Sequence, residues 1–545
     1  MRVAVVGGGP GGLFFATLLR RADPSAEVTV FERNRRDDAF GFGVVFSDRT
    51  LEGIHRADPV LRQALSSSGR HWDDIEIRVK GERIRCGGNG MAAVARRTLL
   101  ALMQARAHAA GTDLRFSSQV TLDDLAGYDL VVAADGTGSK IRRQLEADLG
   151  ASVETAAAKF IWFGTDYLFD GLTFVHERGP HGVFAVHGYP ISADISTFIV
   201  ETDERSWHRA GLDEFDVTRP PGASDLRSKG YLEELFAEQI DGHRLLVNNS
   251  RWASFQTRRT RRWKTLTPQP VALLGDAVHT AHFSVGSGTK MAMEDAVELS
   301  RALTEHPGDI EAALDAYEQA AQPPVRKIQS SARPSLAWWE HFGDYYDAFE
   351  PWQFAYHFLS RSITDARLAR RAPDFVDATH RAWTKAHGAE PLQTPFTHAG
   401  WASPGRVVEI QAGLEGPAVA VAMAATGPGP GPGLPLGEHA PTGGMRAGGA
   451  WGGRLAAPDR EADLPEAFRE LGRLARQGPA VIAVHGGTPL TRTLTCEQAR
   501  LRTGVPALLI DDRLDADLAD TTVLSGRADL VGAPAGVLRA GGLLP

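Results

Sequence analysis

The chain has 545 residues, and at about 150 residues per domain this length predicts three or four domains. Its 43% apolar and 23% charged residues are typical of a soluble globular protein, and its net charge of −8 argues against a nucleic-acid binder, which needs a basic surface. Two cysteines cannot form a disulfide framework, no apolar run approaches the roughly 20 residues that cross a bilayer, and no export signal precedes the first strand. We therefore expect a cytoplasmic protein that is not bound to a membrane.

The first 31 residues are predicted to form a buried strand, a glycine-rich turn, an apolar helix and a second strand. The turn carries G-x-G-x-x-G on Gly7, Gly9 and Gly12, and Glu32 follows about 20 residues later. In this pattern Gly7 permits a tight turn, Gly9 lets the backbone approach a pyrophosphate, and Gly12 allows the helix to pack on the sheet. The pattern predicts a Rossmann-type dinucleotide site and does not distinguish NAD from FAD. A glycine-rich turn without a ligand is the alternative.

Two later segments each contain a buried strand that stops at a glycine and an aspartate. The first strand ends at Asp135-Gly136. The second ends at Gly275-Asp276, and a glycine-rich turn and a long predicted helix follow it. Each segment alone is consistent with an ordinary strand end followed by turn residues. The two segments and the earlier G-x-G-x-x-G turn, in this order, argue against that interpretation.

Together the three motifs, over about the first 330 residues, resemble the class A FAD-dependent aromatic hydroxylases of the p-hydroxybenzoate hydroxylase superfamily. Segments 40–48, 159–166 and 279–290 are similar to a subgroup that acts on CoA esters and contains salicylyl-CoA 5-hydroxylase and 2-aminobenzoyl-CoA monooxygenase. Where this chain has Phe283, the wider superfamily has a proline, a departure that fits the subgroup.

The resemblance implies an FAD site built from separate parts of the chain. Glu32 is assigned to the adenosine ribose, and the adjoining Arg33 is a further cofactor-binding candidate. Arg96 is assigned to the pyrophosphate or ribityl region, the Val120 backbone to the adenine, and Asp276 to the ribityl chain. The other implied contacts lie at the Asp-Gly motif, which supports both FAD and NAD(P)H, and at the flavin pyrimidine edge: Asp135, Gly136, Gly286, Gly288, Thr289 and Lys290. For Lys290, a solvated lysine at the start of a helix is the alternative.

The middle of the chain shows a different pattern. Residues 151–270 alternate apolar and polar side chains and predict an antiparallel sheet, which in the family covers the substrate and the flavin ring. Residues 271–330 return to the FAD-binding domain, whose first part spans 1–150. Residues 331–392 are predicted to be a helical segment with its aromatic side chains, among them Trp339, in the core.

The last part, 393–545, resembles a degenerate old-yellow-enzyme barrel. Residues 394–397 are similar to the beginning of such barrels, 504–510 and 526–531 are similar to their last strands, and 427–433 form a Gly-Pro linker. About 150 residues are too few for a (β/α)₈ barrel, which needs about 200 or more, and the glycines of an FMN phosphate loop are absent. We expect a truncated barrel-like α/β domain without FMN, as a structural or dimer-forming appendage.

The resemblance implies that the chemistry belongs to the cofactor. Only one dinucleotide fingerprint is present, so NAD(P)H meets the flavin transiently, and O₂ forms a C4a-hydroperoxide that attacks the ring of a carboxylic acid or its CoA thioester. His282, His187 and Tyr189 are the candidate proton-transfer residues, with structural hydrogen bonds as the alternative. His187 and Tyr189 are predicted on one strand face. No metal site is predicted.

Other functions stay open. Oxidative decarboxylation of a ring carboxylate by ipso-hydroxylation, as in tropolone biosynthesis, is motivated by the loss of the FMN domain. A halogenase is disfavoured because the Trp-x-Trp-x-Ile-Pro signature is absent. A non-catalytic FAD-binding or assembly protein is a third class, and a homodimer is left open.

Overall fold

A computed structural model describes residues 1–215, 222–283, 286, 288–412, 420–424, 433–440 and 450–544. The chain divides into two compact units, Met1–Gly343 and Asp344–Pro545. Within the described ranges no helix is both long enough and apolar enough to cross a membrane. The finer five-part division expected from the sequence stays a prediction.

The first unit contains a mainly parallel six-stranded sheet. Strand Arg2–Val6 lies at its centre and pairs in parallel with Glu27–Phe31 on one side and Leu130–Ala133 on the other. All but the first residue of Arg2–Val6 are buried, as expected for a strand covered on both faces. This is the predicted Rossmann-type fold. In spatial order the strands are Lys264–Thr265, Val271–Leu273, Leu130–Ala133, Arg2–Val6, Glu27–Phe31 and Asp113–Arg115.

The predicted antiparallel sheet is confirmed in the same unit. Phe163 and Phe198, which lie opposite each other on neighbouring strands of this sheet, share an apolar core with Phe236. The strand Leu172–Gly179 also pairs in parallel with Ile75–Val79, which joins an earlier hairpin to the sheet. In spatial order the strands are Leu245–Leu246, Ala151–Thr165, Ser196–Thr202, Gly182–Pro190, Leu172–Gly179, Ile75–Val79 and Glu82–Cys86, and Ala253–Thr260 pairs with Ala151–Thr165.

Helices and a small sheet complete the first unit. Gly43–Ser47, Met91–Ala95 and Arg70–Trp72 form the small sheet. The helices of this part are Pro10–Ala22, Asp48–Ala57, Pro59–Ser68, Arg96–Ala109, Lys140–Gln144, Glu146–Leu149, Glu204–Arg209, Leu226–Leu235, Gly288–Glu305 and Ile310–Ala348, the last of which ends in the second unit.

The second unit contains a closed barrel, so the predicted barrel-like α/β domain is confirmed. Closure comes from pairing between Val407–Ala412 and Leu530–Ala533. The segments that resemble late barrel strands form neighbouring parallel strands, Ala507–Ile510 and Leu530–Ala533. In order around the described part of the barrel, the strands are Val407–Ala412, Ala420–Ala424, Leu434–Gly437, Gly452–Ala456, Val481–His485, Ala507–Ile510 and Leu530–Ala533.

The remaining elements of the second unit are helices and one hairpin. Strands Phe396–His398 and Trp401–Ser403 pair with each other. Residues 427–432 of the predicted Gly-Pro linker lie outside the described residues. The helices are Pro351–Leu359, Asp365–Ala369, Pro373–His387, Leu464–Ala475, Pro489–Gln498, Ala516–Leu524 and Ala535–Ala540.

Candidate active site

Of the three motif glycines in the turn after the first strand, two are closely packed and one is open. Gly7 has φ +112°, and a Cβ there would lie 2.3 Å from the carbonyl oxygen of Ala134. A Cβ on Gly12 would lie 2.2 Å from the carbonyl oxygen of Gly7, whereas a Cβ on Gly9 would meet no atom within 4 Å. Gly9 is also the N-cap of helix Pro10–Ala22, which has no side-chain cap. The open side at Gly9 therefore faces unsatisfied helix N–H groups, an arrangement suited to phosphate.

The Glu32 carboxylate lies against this turn. Its Oε2 accepts a hydrogen bond from the Gly8 N–H at 2.8 Å, and its Oε1 accepts bonds from the Asn34 backbone and side chain at 2.8 and 2.7 Å. The adjoining Arg33 is exposed. Val120 is half-buried and packs against the core of the parallel sheet. Glu32 thus lies at the end of its strand, where the ribose of a dinucleotide is bound in this fold.

Arg96 and Asp276 face one recess from different elements. Arg96 begins helix Arg96–Ala109, and its buried Nε has no hydrogen-bond partner in the described chain. Asp276 lies in the turn after strand Val271–Leu273 with an exposed side chain. The Asp276 side chain is open to solvent, but the protein atoms around it reduce its hydration and raise its pKa, although the charges of His279 and Arg96 lower it. A polar recess with an orphaned guanidinium nitrogen fits a bound anionic or hydroxyl-bearing group.

The Asp-Gly and Gly-Asp turns are linked by an arginine that the sequence analysis did not single out. Arg142 donates from Nη1 to the Ala277 carbonyl at 2.6 Å and from Nη2 to the Thr137 carbonyl at 2.9 Å. Burial and the Arg258 charge lower the pKa of Arg142 to about 10. Asp135 accepts the Lys140 N–H on Oδ2 at 2.7 Å, while its buried Oδ1 has no partner in the described chain.

His279, next to the Gly-Asp turn, belongs to a buried ion pair. Its Nε2 donates to Oδ2 of Asp295 at 2.7 Å, and the same oxygen accepts the Gly275 N–H at 2.9 Å. Burial lowers the pKa of His279, but the charge and hydrogen bond of Asp295 raise it by more, so the pKa lies above its usual value. This pair ties the turn to helix Gly288–Glu305.

The glycine-rich turn that follows is described in part, because 284, 285 and 287 lie outside the described residues. Gly286 has φ +60°, and Gly288 and Thr289 begin helix Gly288–Glu305. The Lys290 ammonium donates to Glu294 Oε2 at 2.5 Å, one helical turn on. That contact is what a solvated helix lysine makes, so the flavin-edge role of Lys290 stays a prediction.

The three proton-transfer candidates are all buried. His187 and Tyr189 lie on one face of strand Gly182–Pro190, as the period-two pattern predicts. Burial raises the pKa of Tyr189 to about 12, and its ring lies 6.0 Å from that of Trp72. His187 Nε2 lies 3.0 Å from Oε1 of Glu201.

His282 approaches the same glutamate from another element. Its Nε2 lies 3.9 Å from Oε2 of Glu201, whose side chain is 1% exposed. Sequence reasoning missed Glu201. The available signal was an acidic residue directly after the apolar run Phe198-Ile199-Val200 of a predicted strand, because a buried carboxylate needs a partner.

Aromatic rings surround these two histidines. Trp339, predicted as core, is buried with its ring centroid 4.4 Å from that of His187. Phe283 lies 4.4 Å from the ring of His282 and 4.9 Å from that of Phe160. Carboxylate, imidazole and aromatic groups thus share one face of the antiparallel sheet.

Residues 1–332 match the protein family described as "FAD binding domain". Salicyloyl-CoA 5-hydroxylase from Streptomyces sp is 55% identical over 542 residues, which cover 98% of this chain and 99% of the relative. This chain belongs to the FAD-dependent aromatic hydroxylases. This flavoprotein is also 36% identical to 3-hydroxy-4-methyl-anthranilyl-[aryl-carrier protein] 5-monooxygenase from Streptosporangium sibiricum, over 63% of this chain and 90% of the relative.

Solved structures of this class share the fold of the flavoprotein. The tetrameric form of 2-methyl-3-hydroxypyridine-5-carboxylic acid oxygenase matches with a TM-score of 0.50 and 20% identity, over 66% of this chain and 98% of that one. p-Nitrophenol 4-monooxygenase from Pseudomonas putida DLL-E4 matches with a TM-score of 0.50 and 18% identity, over 69% and 93%. The FAD-binding part of the flavoprotein thus has a known architecture.

The residues present fit FAD. Open space at Gly9, the orphaned Nε of Arg96 and the exposed carboxylate of Asp276 are the features that a diphosphate and a ribityl chain would need. The contacts assigned to individual residues stay predictions.

Proposed function

We propose that this flavoprotein hydroxylates the aromatic ring of a benzoyl-type CoA thioester, with salicyloyl-CoA as the first candidate. The observation that carries the proposal is 55% identity to salicyloyl-CoA 5-hydroxylase over nearly the whole length of both chains. The Streptosporangium relative is also named for a ring acyl group held on a carrier and for oxidation at ring position 5. A ring acyl thioester is therefore the substrate class that both names support.

When bound, FAD supplies acceptance of a hydride from NAD(P)H and activation of O₂. The residues of the chain itself would bind the cofactor and enclose the substrate. Gly9 and Arg96 would hold the diphosphate, and Asp276 the ribityl hydroxyls. Aromatic rings beside His187 and His282 would exclude water and orient the substrate ring by stacking.

The reason for considering oxidative decarboxylation of a ring carboxylate no longer applies. It rested on the shortened C-terminal domain as a departure from CoA-ester enzymes. The Streptomyces relative aligns over 99% of its own length, so a named CoA-ester hydroxylase has a C-terminal part of the same extent. Ring hydroxylation with the thioester intact is the better-supported outcome.

Product analysis tests the proposal. The FAD-loaded enzyme is incubated with NADH or NADPH and air, and with salicyloyl-CoA, 2-aminobenzoyl-CoA, free salicylate or a seven-membered-ring acid. We expect one added oxygen atom on a CoA ester, detected by mass spectrometry, with no CO₂. Release of CO₂ from a free acid would establish the alternative reaction. Failure of every ring compound to stimulate NAD(P)H oxidation and oxygen uptake would support a non-catalytic FAD protein.

A further inference from the structure

We propose that Glu201 is a positioning carboxylate that holds His187 and His282 so that His282 removes the phenolic proton of the ring substrate. The inference rests on the proposed function, because it concerns how that substrate is activated. It adds a residue that the sequence motifs do not contain.

Two oxygens of one carboxylate meet two imidazoles from different elements. Glu201 lies in strand Ser196–Thr202, opposite Ala185 on one neighbouring strand and Phe160 on the other. Its Oε1 is 3.0 Å from His187 Nε2, and its Oε2 is 3.9 Å from His282 Nε2. The two imidazoles thus lie at ion-pair distance from the two oxygens of one carboxylate, without hydrogen-bond geometry between His187 and Glu201.

The carboxylate and both imidazoles are almost completely buried. The side chains of Glu201, His187 and His282 are 1%, 5% and 2% exposed. Burying a carboxylate is costly unless it is paired, and an apolar residue would suit the strand better on stability grounds alone. A carboxylate beside an imidazole selects its tautomer and stabilises the imidazolium that forms on proton uptake, as in hydrolase triads.

The cluster is linked electrostatically to Arg96 and Asp276. Tyr189 shares a strand face with His187, and its phenol feels the positive charge of Arg96. Arg96 in turn feels the charge of Asp276. His282 lies between the Gly-Asp turn and Gly286, in the loop that leads to helix Gly288–Glu305. A ring bound among Trp339, Phe283 and Phe255 would thus lie beside both imidazoles.

Among the described residues, three further titratable groups lie on the elements packed against the cluster. His176, on strand Leu172–Gly179, has its pKa lowered to about 3 by burial and by the charge of His187, so it stays neutral at ordinary pH. Lys159, on strand Ala151–Thr165, lies 3.0 Å from both Ser254 Oγ and Glu204 Oε1. The Tyr189 phenol stays protonated.

The proton step balances. The phenolic O–H bond breaks, its electron pair stays on oxygen, and the proton passes to Nδ1 of His282, while Nε2–H faces Glu201. In a salicyloyl group the 2-hydroxyl is para to position 5, so its ionisation enriches the carbon that the Streptomyces relative's name marks for oxygenation. After oxygen transfer, the hydrogen on that carbon leaves as a proton when the ring becomes aromatic again, and His282 returns its proton to the ring oxygen.

The test is Glu201→Gln in the FAD-loaded enzyme, because glutamine keeps the shape and removes the charge. With salicyloyl-CoA we expect kcat near neutral pH to fall about 10- to 100-fold, with KM within about 2-fold of the wild-type value. The kcat–pH profile should move to alkaline pH, because without the charge that stabilises the imidazolium the phenolate forms only at higher pH. The difference spectrum of the anaerobic oxidised complex should lose its phenolate band. Glu201→Asp should restore part of kcat.

Glu177→Gln is the matched control, since Glu177 is a half-buried carboxylate on the same sheet that accepts a hydrogen bond from Gln239 at 2.7 Å. It should leave the profile and spectrum unchanged. An active Glu201→Gln enzyme with wild-type kcat, pH profile and phenolate band would overturn the inference. A wild-type enzyme that hydroxylates no ring thioester would instead overturn the proposed function. If Glu201→Gln does not fold, His282→Gln is measured in its place, and its kcat–pH profile should show the same alkaline shift. A wild-type profile in His282→Gln would overturn the proposed proton transfer.

Discussion

Three acidic side chains of the first unit lie in three different environments. Glu32 accepts three hydrogen bonds at a strand end, Asp276 opens into a recess, and Glu201 is enclosed between histidines. Environment decides what a carboxylate can do. The first two are placed to accept hydrogen bonds from a cofactor, and the third is placed to act on protons.

Removing either cofactor-facing carboxylate should weaken FAD binding. A hydrogen bond to a charged group contributes about 1.5–3 kcal/mol, so Glu32→Ala and Asp276→Ala should each raise the Kd for FAD about 10- to 100-fold. Fluorescence titration of apoprotein with FAD measures this, with Glu27→Ala, an exposed residue on the strand before Glu32, as the control. Unchanged affinity in both variants would contradict the assigned site.

The His279–Asp295 pair should make stability depend on pH. The pKa of His279 is raised in the folded state, so its contribution is fully present below the unfolded value of about 6.5 and is lost as pH rises through the folded pKa. The Tm difference between wild type and His279→Gln should be largest near about pH 6 and shrink towards about pH 9. Differential scanning fluorimetry measures it, and His55→Gln, at an exposed histidine, is the control. A difference independent of pH would refute the charged pair.

At the scale of elements, the motif glycines of the first turn and helix have two different roles, packing and ligand binding. Gly12 packs against the Gly7 carbonyl, and Gly9 faces open space. The same chemical change at these two neighbouring positions should therefore have different results.

Gly9→Ala should fold with nearly the wild-type Tm as apoprotein and lose FAD affinity, because its methyl group would occupy the side open to the diphosphate. Gly12→Ala should be strongly destabilised, because its Cβ would lie 2.2 Å from a backbone oxygen. Thermal melts of both apoproteins and FAD titration of the folded one measure the two effects. Equal loss of stability in both variants would show that Gly9 also has a packing role.

At the scale of the whole molecule, the two units differ in how well their residues suit the binding of a flavin. The barrel of the second unit is filled by one apolar cluster that includes Val408, Leu434, Val481 and Leu508. Asp511 follows one parallel strand at its carboxyl end, where barrels of this type bind ligands, and it pairs with Arg492. Because Arg492 is already paired with Asp511, its positive charge is neutralised and does not attract a second flavin phosphate there.

We therefore expect the purified protein to carry one FAD per chain and no FMN, even after incubation with both. Chromatography of the flavin released by heat measures this, and the FAD peak of the same sample serves as the internal control. A stoichiometric FMN peak would show that the barrel is a working flavin site.

The local sequence pattern determined much of the fold and of the candidate site. The glycine turn, the Asp-Gly and Gly-Asp strand ends and the shared face of His187 and Tyr189 follow from spacing within short segments. The two late barrel strands were predicted from a resemblance to a known barrel family. Only the tertiary structure brought Glu201 between His187 and His282, set Arg96 opposite Asp276, and closed the barrel through Val407–Ala412. These contacts join residues far apart in the chain, and they depend on strand order and register, which short-range periodicity does not encode.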